Sequence, residues 1–137
     1  MRLYGESHSW VKMDGKTAVI GISKYYAGMM GKIRYVEYPD VGGKAECGAK
    51  LCTIIAQIVP QAKILAPVSG KIVEVNRRLV TFPEILNEDP LGEGWLVKVV
   101  PPDYLPHRLR DELAVLMDEN AYFAWLAHRD KPSAKGD

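Results

Sequence analysis

From Ser7 to Val100 the chain is a series of short alternating or wholly apolar runs, broken every few residues by Gly, Pro or Asp. That texture predicts strands and tight turns rather than long helices. Runs 7–12 and 17–22 flank Met13-Asp14-Gly15-Lys16. Asp-Gly between two strands predicts a type I′ hairpin, since Gly accepts the positive φ that turn demands. Trp10 is the expected inward anchor of the first strand. Ser23 is positioned to cap a short helix over 24–30, with Gly31 taking the left-handed position after its last turn. Strands follow over 32–38, 51–58, 71–76 and 95–100, with a less regular stretch over 44–50. Thr81, as a cap with Pro83 near the first helical position, predicts a helical turn over 81–87. After Pro101, Pro102 and Pro106 the period changes. Leu109, Leu113 and Leu116 share one helical face, as do Tyr122, Trp125 and Leu126, and Asp118 can cap the second segment. The fold class is therefore mainly β with C-terminal helices near 108–128 (α+β), and the apolar stripes are expected to cover one side of the sheets. Residues 1–130 read as one domain and 131–137 as a polar tail.

Two features of the pattern are specific. The first is a hairpin. The apolar run from Ile54 breaks at Val59-Pro60-Gln61, resumes, and closes on Ala66-Pro67-Val68-Ser69-Gly70, so a tip near residues 58–60 should project from the domain. The second is an echo. Gly31-Lys32-Ile33-Arg34-Tyr35-Val36 and Gly70-Lys71-Ile72-Val73-Glu74-Val75 share Gly-Lys-Ile-x-x-Val, 39 positions apart. Two half-units packed on each other, or chance likeness of two short strands, both account for it.

Charge and chemistry narrow the classes. With 18 basic and 17 acidic residues the net charge is +1, which provides no field for nucleic acid. No apolar run reaches the ~20 residues a membrane span needs, and the first residues lack a signal peptide's apolar core. A cytoplasmic protein with reduced thiols is expected. Cys47 and Cys52 do not form Cys-x-x-Cys, and no further soft ligand lies nearby in sequence, so a zinc site is not expected. A thiol redox pair is the alternative use of those two residues. His8, His107 and His128 are scattered, and no phosphate loop or nucleophile elbow occurs.

Several strings in this order resemble the glycine cleavage H-protein family. Ser7-His8-Ser9-Trp10-Val11 is similar to the family's Ser-His-Glu-Trp-Val. Ile22 to Gly31, continuing to Val36-Glu37-Tyr38-Pro39-Asp40-Val41-Gly42, resembles its capped helix and following strand. Asn87-Glu88-Asp89-Pro90-Leu91-Gly92-Glu93-Gly94-Trp95 resembles Asn-x-x-Pro-x-Gly-x-Gly-Trp, and Ala66-Pro67-Val68-Ser69-Gly70 the segment after the lipoyl hairpin. Ala121-Tyr122 falls where the last helix of the family has Ala-Tyr. The resemblance covers about residues 7–127. It implies a barrel-sandwich hybrid of the lipoyl and biotinyl carrier type, with the two Gly-Lys-Ile units as pseudo-symmetric halves. It also implies a carrier or binding protein rather than an enzyme, with glycine-cleavage-type or lipoate-handling enzymes as partners. A shaping role is expected for 87–90, and a structural one for His8.

The departures concentrate where the family attaches lipoate. The family's lysine stands eight residues before the Pro of Ser-Pro-Val-Ser-Gly, which is Val59 here; counting forward from Gly42 gives Ile58 instead. Neither is a lysine, and the acidic residue before it is missing too. The one hairpin lysine, Lys63, lies on the returning strand, where it reads as a solvent-facing strand lysine or as a relocated lipoyl site. The chain is also near neutral where the family is acidic. The expected function is thus an H-protein-like domain without covalent cofactor, binding a protein partner through Ile58, Val59 and Pro60. The alternatives are a lipoylated carrier using Lys63 and the thiol protein using Cys47 and Cys52.

Overall fold

The structure is a computed structural model and describes residues 1–129; the tail expected at 131–137 lies outside them. Among the described residues nine strands form two sheets. β1 (Arg2–Tyr4), β2 (Ser9–Asp14), β3 (Thr17–Ile22), β9 (Val97–Val100), β8 (Gly70–Val75) and β5 (Lys44–Ala45) make a six-stranded sheet in the order β1-β2-β3-β9-β8-β5. β4 (Ile33–Glu37), β6 (Lys50–Ala56) and β7 (Ala62–Leu65) make a three-stranded sheet in the order β4-β6-β7. Every pairing between these strands is antiparallel. Neither sheet closes on itself. One core joins them: Ile20, Ile22, Ile72, Val97 and Val99 from the larger sheet meet Ile33, Ile54 and Ile64 from the smaller. β6 is central in its sheet and buried along almost its whole length, which explains its continuous apolar run.

The helices follow the predicted signals with two corrections. α1 (Lys24–Met30) begins where Ser23 Oγ accepts the Tyr26 amide at 3.1 Å. It ends at Gly31, whose φ of 74° and ψ of −155° lie outside the left-handed helical region expected for it, in a region essentially reserved for glycine. Thr81 is not a cap. It is the last residue of a helical turn, α2 (Arg78–Thr81), and a second turn, α3 (Ile85–Glu88), follows without a side-chain cap. α4 (Pro106–Ala114) lays Leu109 and Leu113 against the core, joined by Leu116 just beyond it. α5 (Glu119–Arg129) packs Tyr122 and Leu126 into a second cluster with Tyr4 and Trp10. Asp118 caps α5 as expected, its carboxylate accepting the Ala121 amide at 2.8 Å. Trp10 is buried, and its indole N–H donates to the Pro90 carbonyl.

The first hairpin differs from its predicted turn type. Asp14 pairs with Thr17, so the loop is Gly15-Lys16 rather than Asp14-Gly15. Gly15 has φ of 62°, and Lys16 is not among the residues with positive φ. Positive φ at the first central position alone is the type II′ pattern.

The echo has a structural counterpart. An Ile and a Val three positions apart should face opposite sides of a regular strand. In both copies the ladder is irregular just after the Ile, between Ile33 and Tyr35 in β4 and between Ile72 and Glu74 in β8. Each irregularity lets both apolar residues turn inward. Ile33 and Val36 are buried with Arg34 and Tyr35 exposed, and Ile72 and Val75 are buried with Val73 and Glu74 exposed. One copy lies in each sheet, as two half-units would require.

Candidate functional site

The β6–β7 hairpin places the predicted contact residues. Its loop is Gln57-Ile58-Val59-Pro60-Gln61, and the β6–β7 ladder resumes at Ile54 opposite Ala62. The Ala56 amide donates to the Val59 carbonyl at 3.2 Å, closing the loop's first half. Pro60 has no N–H with which to continue the ladder, and its ring fixes φ.

The tip does not project freely. The Gln57 amide donates to the Lys32 carbonyl at 2.9 Å, and the Ile58 amide to the Met30 carbonyl at 2.8 Å. Between those acceptors, the Gly31 carbonyl receives Asn87 Nδ2 at 2.8 Å, while Asn87 Oδ1 accepts the Ile33 amide at 2.9 Å. The α1–β4 junction is therefore held both by the Asn87 side chain and by the main chain of the hairpin tip. Ile58 lies across Gly31 so closely that a β-carbon there would stand 2.8 Å from Ile58 Cγ1. Sequence spacing could not reveal this platform, because Asn87 is more than fifty residues from its partners and the tip meets it through main-chain atoms.

The three tip residues have different settings. Ile58 is 66% exposed, whereas Val59 is half-buried and packs against the core; Pro60 is exposed. The two counts along the family pattern thus end on an outward and an inward side chain. Lys63 is exposed on β7, opposite Thr53. No ionisable side chain lies within 57–61, so the tip itself is uncharged.

The cysteines sit apart in character. Cys52 is buried in the core, and burial pushes its thiol up to about 12, with Lys50 opposing weakly. Cys47 is exposed; its amide donates to Ser69 Oγ at 2.9 Å and its thiol to the Pro67 carbonyl at 3.4 Å. Partial burial, followed by the nearby Glu112 carboxylate, raises its pKa despite Arg108. Neither thiol is activated toward thiolate.

His8 forms a buried knot. Arg129 Nη1 lies 3.0 Å from Nε2, and Tyr122 Oη 2.8 Å from Nδ1. Arginine can only donate, so Nε2 accepts and the ring proton is assigned to Nδ1. The Tyr122 hydroxyl passes its own hydrogen to Ser23 Oγ at 2.7 Å. His8 has φ of 70°, an uncommon conformation for a residue other than glycine. These bonds attach α5 to the start of α1. Among the described residues, no three His, Cys, Asp or Glu side chains gather where a metal could bind, and no helix is long and apolar enough to cross a membrane.

The family model for the glycine cleavage H-protein matches residues 2–129. The chain belongs to this family. A glycine cleavage system H protein of Thermotoga maritima is 40% identical over 127 residues, covering 93% of this chain and 97% of its own length. A probable glycine cleavage system H protein of Thermococcus kodakarensis is also 40% identical, over 90% of this chain and 87% of its own. The crystal structure of a glycine cleavage system H protein from Mycobacterium marinum superposes with a TM-score of 0.79 at 25% identity, covering 92% of this chain and 96% of that one. The β-rich architecture with C-terminal helices is that of the family, consistent with the barrel-sandwich hybrid expected from the resemblance. Asp89 and Pro90 of the family's Asn-to-Trp string act as Asn87 does, by bracing backbone. The Asp89 carboxylate accepts the Glu93 amide at 2.9 Å, and the Pro90 carbonyl receives Trp10.

Proposed function

We propose that this H-protein family member binds a protein partner without carrying covalent lipoate, using the tip at Ile58, Val59 and Pro60. The observation that carries the reading is the tip's makeup: Gln57-Ile58-Val59-Pro60-Gln61 has no primary amine, and the apolar side chain of Ile58 is 66% exposed. Amide attachment needs an amine, which an aliphatic side chain lacks. A stiff apolar tip suits a pocket that would otherwise receive an apolar arm, so enzymes of the glycine-cleavage or lipoate-handling type are the partners proposed. Burying such a tip contributes several kcal/mol gross, on the order of 2 kcal/mol per fully buried aliphatic side chain, and association costs offset much of it. Catalysis would reside in the partners.

A second reading is a lipoylated carrier. The names borne by the relatives and the exposure of Lys63 favour it. Its difficulty is position: Lys63 stands within a paired strand, not at the turn. The thiol reading is opposed by the upward shifts at both cysteines.

Intact mass after co-expression with a lipoate ligase and added lipoate separates the readings, with an ordinary H protein as the positive control. Unmodified protein beside a modified control is expected. One added lipoyl group, mapped to Lys63 or any other lysine, would overturn the proposal and make that lysine the centre of function.

A further inference from the structure

Away from the tip, a cavity of about 700 Å³ opens between the β2–β3 turn, the β5–β8 edge and the start of α4. Its walls carry Lys16, Lys44, Lys71 and Arg108 against Glu46 and Asp103. Arg108 is already committed, to Glu46 and Glu112 at 3.3 Å each and to Ser69 Oγ at 3.1 Å. Among the described residues the three lysines have no ion-pair partner; the remaining ion pairs are Arg78–Glu93 and Lys98–Glu74. Lys44 and Lys71 are, moreover, direct partners across the β5–β8 ladder. Directly opposed residues of an antiparallel pair project to the same face, so the two lysine side chains leave the sheet as neighbours, and like charges so placed destabilise a sheet. Asp103 is the only wall carboxylate left to offset them.

The same wall contains the first turn of α4, which has no acidic residue and no side-chain cap. A helix start of that kind adds partial positive charge. Apart from Ser69 and the Tyr104 hydroxyl, the rest of the lining offers no polar side chain. Met13 and Leu109 pack against the core from this side, and Tyr104, 79% exposed, stands at the margin. An apolar hollow with a few convergent polar groups has the character of a small-molecule site, and its volume falls within the usual range.

We propose that this cavity binds a small amphiphilic anion, its carboxylate or phosphate head between Lys44 and Lys71 and its apolar body along Met13 and Leu109. The anion supplies the counter-charge that the opposed lysines lack. Nothing in this proposal depends on the tip or on lipoate.

Titration calorimetry of the full chain tests it with four probes: hexanoate, hexyl phosphate, inorganic phosphate and hexanol. At least one of the two hexyl anions should bind, weakening as salt rises, and their ratio identifies the head group. Inorganic phosphate and hexanol should each bind at least about tenfold more weakly, for want of one half of the contact. Lys44→Gln with Lys71→Gln should weaken the hexyl anion by about tenfold or more without lowering Tm, because a like-charge pair is removed. Equal binding of hexanol would overturn the role of the lysines, and equal binding of inorganic phosphate that of the apolar wall. No binding of either hexyl anion, or unchanged binding by the folded double variant, would overturn the site.

Discussion

The hairpin tip and the His8 knot both fasten loops beside α1, but with different atoms. At the tip the bonds are main-chain amides of Gln57 and Ile58 to main-chain carbonyls of Lys32 and Met30. In the knot a main-chain bond from the Ser23 amide to the His8 carbonyl, at 2.9 Å, is reinforced by side chains, with His8, Ser23, Tyr122 and Arg129 linked in one chain of hydrogen bonds. Rings of Tyr25, Tyr26 and Trp125 surround the imidazole, and Tyr4 stacks on Tyr122 at 4.6 Å. Main-chain bonds do not read residue identity, so a tip tied that way tolerates changes of side chain without losing its place. A side-chain network tolerates few. The first arrangement leaves room for functional change, and the second holds the fold.

The knot should therefore give the largest response. Tyr122→Ala empties a buried, stacked position and should cost about 3–5 kcal/mol, the range for removing a large buried aromatic. Tyr122→Phe keeps most of the ring volume but removes the hydroxyl that bonds His8 Nδ1 and donates to Ser23. A loss of about 1–3 kcal/mol is expected. Urea denaturation measures both. A Phe variant as stable as the parent would show that the hydrogen-bond chain adds nothing to the packing, and the contrast with the tip would fail.

Gly31→Ala comes next, since it strikes the platform rather than the tip. An added β-carbon meets Ile58, and the backbone conformation itself resists any side chain. Together these should cost about 1–3 kcal/mol. Combining it with Ile58→Ala sharpens the comparison. If the clash dominates, the double variant regains most of the loss; if the backbone dominates, it regains little. Full additivity would mean that Ile58 does not press on the platform at all.

Much of this was legible in the sequence, for identifiable reasons. Ser23 and Gly31 mark α1 to the residue because caps act locally. The stripes at Leu109, Leu113 and Leu116 and at Tyr122 and Leu126 mark the C-terminal helices because burial follows the helical period. The echo even foretold matching strands, although not the bulges that make its three-residue spacing work. β1 and β5 were not legible. With three and two residues they are too short to show alternation, and they exist because longer strands offer them an edge. α2 is a single turn whose helical form serves to bury Leu79. At the candidate site the sequence showed which residues lack an amine. It did not show that Ile58 faces out and Val59 in, because a proline-broken loop has no period from which to read direction.

That last distinction supports the smallest effect on stability and the one closest to function. Ile58→Asp changes a side chain that is two-thirds exposed and leaves both main-chain bonds of the tip available, so it should cost no more than about 1 kcal/mol. Val59→Asp places a carboxylate against the core and should cost more, because a charge that loses water must be compensated. Capture of purified glycine-cleavage enzymes or lipoate ligase by the immobilised chain should vanish with Ile58→Asp while its Tm holds. Val59→Asp is the less clean probe, since lost capture could there follow from a loosened hairpin. If Ile58→Asp retains full capture of a partner that the parent binds, the exposed tip is not the contact. If it destabilises the chain as much as Tyr122→Ala should, the tip is part of the frame, and the division between a tolerant latch and a specific knot is wrong.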